Sequence, residues 1–144
     1  MPSGCGRRCD SSWNGCLRPT CRRRTGSSSD TGVKGDYYSN NAALSADGST
    51  VAFDSIAINL DPADSDSSVD VYVKDLVTGD IVLASASDSG VAGNSFSDRP
   101  FLSADGGTVA FGSQSTNLSP ADTDTLSDIY VKDLRRLRQR SRRR

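Results

Sequence analysis

Two acidic loops carry the residues that could bind a metal ion. Each loop has three Asp at positions 1, 3 and 7, and the six residues are Asp64, Asp66, Asp70, Asp122, Asp124 and Asp128. Carboxylates at this spacing can converge on a hard cation such as Ca²⁺, which prefers oxygen ligands. Asp, Ser and Thr also favour turns and solvated loops. The sequence therefore leaves two interpretations open, a calcium site and loop formation alone.

The two loops depart from the EF-hand pattern. An EF-hand loop has Gly at position 6, where this chain has Val69 and Ser127. Position 12 is occupied by Asp75 and Asp133, which lie in predicted strands rather than helices. These departures argue against an EF-hand.

The remaining composition gives little support for catalysis. The chain has no His, which excludes Ser-His-Asp and Cys-His systems and imidazole metal ligands. Two carboxylates can act as acid and base in glycoside hydrolysis, but the 17 Asp between residues 25 and 134 make such pairs common. The four Cys all lie within the first 21 residues and contain no C-x2-C pair. We therefore expect no catalytic residues, no cofactor other than Ca²⁺, and no enzymatic activity.

The elements that position the acidic loops come from an internal repeat of 58 residues. Leu44–Gly48 matches Leu102–Gly106, and Tyr72–Leu76 matches Tyr130–Leu134. Between residues 44 and 76, 22 of 33 positions are identical in the second copy. The identity ends after Leu134, so we expect the second unit to be incomplete.

Each unit has the periodicity of short strands. Apolar, β-prone runs at Thr50–Phe53, Val69–Val73 and Ile81–Leu83 are separated by Asp-Gly and Thr-Gly turns. A further strand before each Leu-Ser-Ala-Asp-Gly turn gives four strands, which predicts an antiparallel meander. One such sheet cannot bury two apolar faces, and stacking of copies solves that problem. We predict an all-β protein of two tandem four-stranded antiparallel β-propeller blades, the second incomplete, with disordered basic termini.

The unit LSADG..VAF....NL.PAD.D...D.YVKDL.TG resembles the WD40-like propeller repeat of TolB-type proteins. In that family a Ser-x-Asp-Gly turn joins the first two strands, and an Asp-x-Tyr-Val-x-Asp-Leu strand precedes Thr-Gly. The resemblance covers about 105 of the 144 residues. It implies a non-catalytic scaffold for protein interactions, located in the periplasm, the cell envelope or outside the cell. It also implies strands near residues 41–45, 50–55, 69–76 and 81–86, and near 99–103, 108–113 and 127–134.

The repeat and the distribution of charge divide the chain into segments. We expect an Arg- and Cys-rich segment at 1–29, disordered or translated out of frame, repeats at 30–87 and 88–134, and an Arg-rich tail at 135–144. Residues 1–24 carry a net charge of +5, residues 25–134 carry −13, and residues 135–144 carry +7. The acidic body disfavours nucleic acid as a partner. We expect protein partners, further propeller blades or self-assembly.

No apolar run reaches the length of a transmembrane helix or of the core of a signal peptide, so we expect neither in this chain. Two alternatives to the scaffold remain open. One is a calcium-binding extracellular repeat module. The other is the accessory propeller of a peptidase or of a glycan-degrading enzyme.

Overall fold

The computed structural model describes residues 25–141 and residue 143. These residues form seven strands and one helix: β1 (Ser39–Leu44), β2 (Thr50–Ser55), β3 (Asp70–Asp75), β4 (Ile81–Leu83), β5 (Ser97–Leu102), β6 (Thr108–Ser113), β7 (Asp128–Asp133) and α1 (Leu134–Ser141). This confirms the all-β prediction. The expectations for residues 1–24, including those for the four Cys, lie outside the described residues.

The strands form two antiparallel sheets that follow chain order. The first sheet is β1-β2-β3-β4 and the second is β5-β6-β7. The register is the same in both, since Phe53 pairs with Tyr72 and Phe111 pairs with Tyr130, 58 residues later. The repeat in the sequence is therefore a repeat of strand pairing.

The Leu-Ser-Ala-Asp-Gly segments form the turns that fix this register. In the first turn, Ser45 Oγ and the Ser49 amide donate hydrogen bonds to Asp47 Oδ1, at 2.7 and 2.9 Å. These two bonds, that from the Ser49 amide foremost, lower the pKa of Asp47 to about 2. Gly48 has a φ of +70°, a left-handed conformation that favours glycine. The most faithfully repeated segment is thus a folding device.

A bulge interrupts the first strand of each sheet and helps to join the sheets. The register shifts at Asn41 and at Arg99, whose φ angles of 48° and 52° are left-handed. Asn41 Nδ2 and the Arg99 amide both donate to Asp54 Oδ2, at 2.7 and 3.1 Å. Asp54 is buried between the sheets, so one carboxylate connects the two repeats.

The main core lies between the two sheets, because β5 and the inner face of β6 pack against the first sheet. The buried residues of this core are Ala52, Val71, Val73, Val82, Ala84, Val109, Phe111, Leu118 and Leu134. Val109 and Phe111 are the repeat counterparts of Val51 and Phe53, which lie on the opposite face of the first sheet. The two sheets therefore pack through non-equivalent faces, as units do in a head-to-tail stack.

The other face of the first sheet is covered from within the chain. Val51, Phe53 and Tyr72 form a second apolar cluster there, together with residues of the loop after β2. Residues 25–36 close this face, because Lys74 Nζ donates to the carbonyls of Ser28 and Ser29 at 2.7 and 3.0 Å. The first sheet is therefore buried on both faces.

The expectation of a disordered tail after Leu134 is wrong for the residues up to Ser141, which form α1. Leu134 and Leu137 lie one turn apart and pack against the main core. Arg138 bridges back to the first sheet: its guanidinium lies 3.0 Å from Asp75 Oδ2 and donates to Thr50 Oγ1 at 3.1 Å. These contacts order a segment whose composition alone is typical of disorder.

Candidate metal centre

The first acidic loop connects β2 with β3 and brings its three Asp together. The Asp66 amide donates to Asp64 Oδ1 at 3.1 Å, and the Ser68 amide donates to Asp66 Oδ1 at 2.7 Å. Asp70 is the first residue of β3. The three residues, here the first triad, offer carboxylate oxygens that lie within 4.8 Å of one another. Calcium–oxygen distances of about 2.3–2.6 Å allow two ligands of one ion to lie about 5 Å apart, so this spacing fits a calcium ion.

The second acidic loop, between β6 and β7, repeats the arrangement. The Asp124 amide donates to Asp122 Oδ1 at 3.2 Å, and Asp128 begins β7. These three residues, the second triad, also offer oxygens within 4.8 Å of one another. Both triads predicted from the sequence are thus assembled.

The residues at position 12 belong to neither triad. Asp75 ends β3, five residues from Asp70, which corresponds to about 16 Å along a strand. Its Oδ1 accepts the amides of Val77 and Thr78 at 2.8 and 3.0 Å. Asp75 therefore closes the turn after the strand, and Asp133 ends β7 in the same position.

A tyrosine hydroxyl supports each triad, a role that the sequence analysis did not anticipate. Tyr72 donates a short hydrogen bond to Asp64 Oδ2, and Tyr130 donates one to Asp122 Oδ2. Burial, followed by the hydrogen bond to the carboxylate, raises the pKa of both hydroxyls, that of Tyr130 to about 12. Phe53 stacks on the Tyr72 ring, with centroids 5.8 Å apart. The spacing Asp-x7-Tyr, repeated in both units, is the sequence signal for this contact.

The two triads differ in burial. Asp70 has 0% exposure; its Oδ1 accepts from Ser85 Oγ at 2.6 Å, while its Oδ2 has no hydrogen-bond partner among the described residues. Burial raises the pKa of Asp70 to about 7, although the Ser85 hydrogen bond acts in the opposite direction. Burial also raises the pKa of Asp64.

The second triad is more open than the first, and no described strand pairs with β7 as β4 pairs with β3. In the first triad, β5 lies beside the loop, and the Ser97 amide donates to the Val69 carbonyl at 2.6 Å. Asp128, the counterpart of Asp70, is exposed. The counterpart of Ser85 is Arg143, which is exposed and has no hydroxyl. Identical carboxylates therefore have different surroundings.

Comparison of the chain with protein-family models finds no match, and comparison with curated proteins finds none either. The TolB-like resemblance therefore stays a prediction from the repeat motif. Within residues 25–141 and residue 143, no helix combines the length and apolar character that crossing a membrane requires.

Proposed function

We propose that the protein is a non-catalytic repeat scaffold of the TolB-like propeller type, and that it binds protein through the outer face of its second sheet. Phe101, Ala110, Ile129 and Val131 form this face, here called the free face. Phe101, Ala110 and Val131 form one row across the sheet, because Ala110 on β6 pairs with Phe101 on β5 and with Val131 on β7. Phe101, Ile129 and Val131 are 73%, 74% and 65% exposed. Such a cluster of exposed apolar side chains is typical of an interaction surface.

The single observation that carries the proposal is that the equivalent face of the first repeat is buried. Val71 and Val73 are the counterparts of Ile129 and Val131, and they are fully buried beneath the second sheet. The chain thus shows which surface covers this face, namely the Val109 and Phe111 face of a following unit. We infer that a partner of the free face presents a comparable apolar sheet surface.

The open edge of β7 supports the same conclusion. In the first sheet β4 pairs with β3, so Tyr72 and Lys74 face Leu83 and Ile81. No described strand pairs with the corresponding edge of β7. An unpaired edge beside an apolar face is a surface on which another chain can add strands.

The chain itself supplies one candidate partner, a second copy. Since the free face occurs once among the described residues and the opposite face of the first sheet is covered by residues 25–36, two copies would meet through their second sheets. Such contact of like surfaces gives a twofold dimer. The TolB-like resemblance supports further blades as partners, and it supports a location in the periplasm, the cell envelope or outside the cell.

Sedimentation velocity of the full chain over a range of concentrations tests this proposal. We expect the wild type to form a dimer and the Val131→Asp variant to sediment as a monomer that keeps the circular-dichroism spectrum of the folded chain, with a Tm that no longer depends on protein concentration. Val77→Asp is the matched control, because Val77 is equally exposed but lies in the turn after β3. A wild type that is monomeric at its highest soluble concentration, or a dimer unaffected by Val131→Asp, would contradict the proposed pairing.

A further inference from the structure

We propose that the first triad, Asp64, Asp66 and Asp70, is a calcium site, and that it binds Ca²⁺ more tightly than the second triad. This inference does not rest on the scaffold role. It requires only the arrangement of the first acidic loop and of β3 described above.

The first argument is the unsatisfied oxygen of Asp70. A carboxylate oxygen buried away from water and without a hydrogen-bond donor is costly, and such atoms are rare in folded proteins. Asp70 Oδ2 is the one side-chain atom of this kind among the described residues. None of the ion pairs among these residues involves a member of the first triad. A bound cation would satisfy this oxygen and offset the charge of its neighbours.

The second argument is the way in which the other carboxylate oxygens are held. Ser85 Oγ donates a hydrogen bond to Asp70 Oδ1. The Tyr72 hydroxyl donates to Asp64 Oδ2, and the Asp66 amide donates to Asp64 Oδ1. These contacts hold two of the carboxylates in place while Asp70 Oδ2 stays without a donor. Preorganised ligands of this kind lower the cost of binding.

The donor set identifies the class of cation. All three ligands are carboxylates, which are hard oxygen donors, and the described residues contain neither His nor Cys. Ca²⁺ accepts irregular oxygen shells, whereas Mg²⁺ requires near-ideal octahedral geometry and releases its water reluctantly. Three carboxylates from one seven-residue segment form such an irregular shell, which suits Ca²⁺ better.

The difference in burial between the two triads leads us to expect one high-affinity site among the described residues. The second triad has the same residue types and spacing, but its members are partly or fully exposed. Water screens the attraction between an exposed carboxylate and a cation, while the burial of Asp64 and Asp70 strengthens that attraction in the first triad. The first triad should therefore bind Ca²⁺ with much the higher affinity.

Calorimetric titration of the chelator-treated full chain with CaCl₂ tests the proposal, alongside thermal melting. We expect about one Ca²⁺ per chain and a rise in Tm of about 10 °C when free Ca²⁺ exceeds Kd roughly a hundredfold. Asp70→Asn should weaken binding by at least about tenfold, because it removes a buried ligand charge. Its matched control, Asp128→Asn, should leave affinity and stoichiometry unchanged. MgCl₂ alone should bind more weakly.

A second pair of variants keeps the test decisive if Asp70→Asn fails to fold. Asp66 is exposed, and Asp66→Asn should fold normally while weakening Ca²⁺ binding; Asp124→Asn is its counterpart and should change nothing. No heat and no shift in Tm at millimolar CaCl₂ would overturn the proposal. A shift that persists in Asp66→Asn would overturn the assignment, and equal losses in both variants would overturn the preference for the first triad.

Discussion

The packing of the two repeats makes a quantitative prediction at a pair of equivalent glycines. Gly48 and Gly106 occupy the same position in their turns, with φ angles of +70° and +67°. A Cβ added at Gly48 would meet only Leu44 Cδ2, at 4.0 Å. A Cβ added at Gly106 would lie 2.8 Å from Thr50 Oγ1 and 3.0 Å from Thr50 Cβ. Of these two glycines, only Gly106 therefore packs closely against the neighbouring repeat.

These distances separate two costs. Forcing alanine into a left-handed conformation costs about 1–2 kcal/mol in either turn. Overpacking against Thr50 adds about 1–3 kcal/mol for Gly106→Ala alone. We therefore expect Gly48→Ala to lower the free energy of unfolding by about 1–2 kcal/mol and Gly106→Ala to lower it by about 2–5 kcal/mol. Urea denaturation followed by circular dichroism measures both values under the same conditions.

A double-mutant cycle shows whether Thr50 is the cause. Thr50→Ala removes the oxygen nearest to the new Cβ, so it should recover part of the loss in the Gly106→Ala background and none in the Gly48→Ala background. Equal losses in the two glycine variants would refute the argument. The close packing of Gly106 on Thr50 would then be incorrect, and with it the stacking on which the proposed function depends.

Further predictions concern single side chains. Lys74→Met should lower the free energy of unfolding by about 2–3 kcal/mol, because Lys74 Nζ donates to three backbone carbonyls. Lys132→Met should change it by less than about 0.5 kcal/mol, because the hydrogen bond of Lys132 goes to the exposed Asp88. Chemical denaturation compares the two variants. Phe111→Ala should cost about 3–5 kcal/mol in the same assay, because it empties the centre of the main core. Asp47 has a lowered pKa in the folded state, so its contribution to stability is present above pH 3.8 and is lost as the pH falls towards 2. Asp47→Asn should therefore flatten the acid limb of a plot of Tm against pH.

Local sequence signals located the strands and the triads. The Asp47-Gly48 turn fixes where β1 ends and β2 begins, and the alternating valines before Asp75 mark β3. The observed strands begin within about two residues of the expected positions, because turn chemistry and β-propensity act over a few neighbouring residues. The two triads come together for the same reason, since each lies within seven consecutive residues.

Contacts between distant segments could not be predicted in this way. Helix α1 is stabilised by Leu137 on the main core and by Arg138 at Asp75, and the arginine composition of that segment shows neither contact. The connection of Arg99 to Asp54 depends on a bulge and on a residue 45 positions away. Ser85, whose hydroxyl donates to Asp70, lies outside the acidic loop, 15 residues further along the chain.

Asp70 and Asp128 differ because different segments lie beside them. Asp70 is buried and accepts a hydrogen bond from Ser85, which follows β4. No described strand pairs with the equivalent edge of β7, and Arg143 stands at the position equivalent to Ser85. A tandem repeat copies side chains, but each copy acquires its environment from the segments packed on it. The first unit can therefore hold a shielded carboxylate, whereas the second unit leaves one sheet face open and can bind a partner.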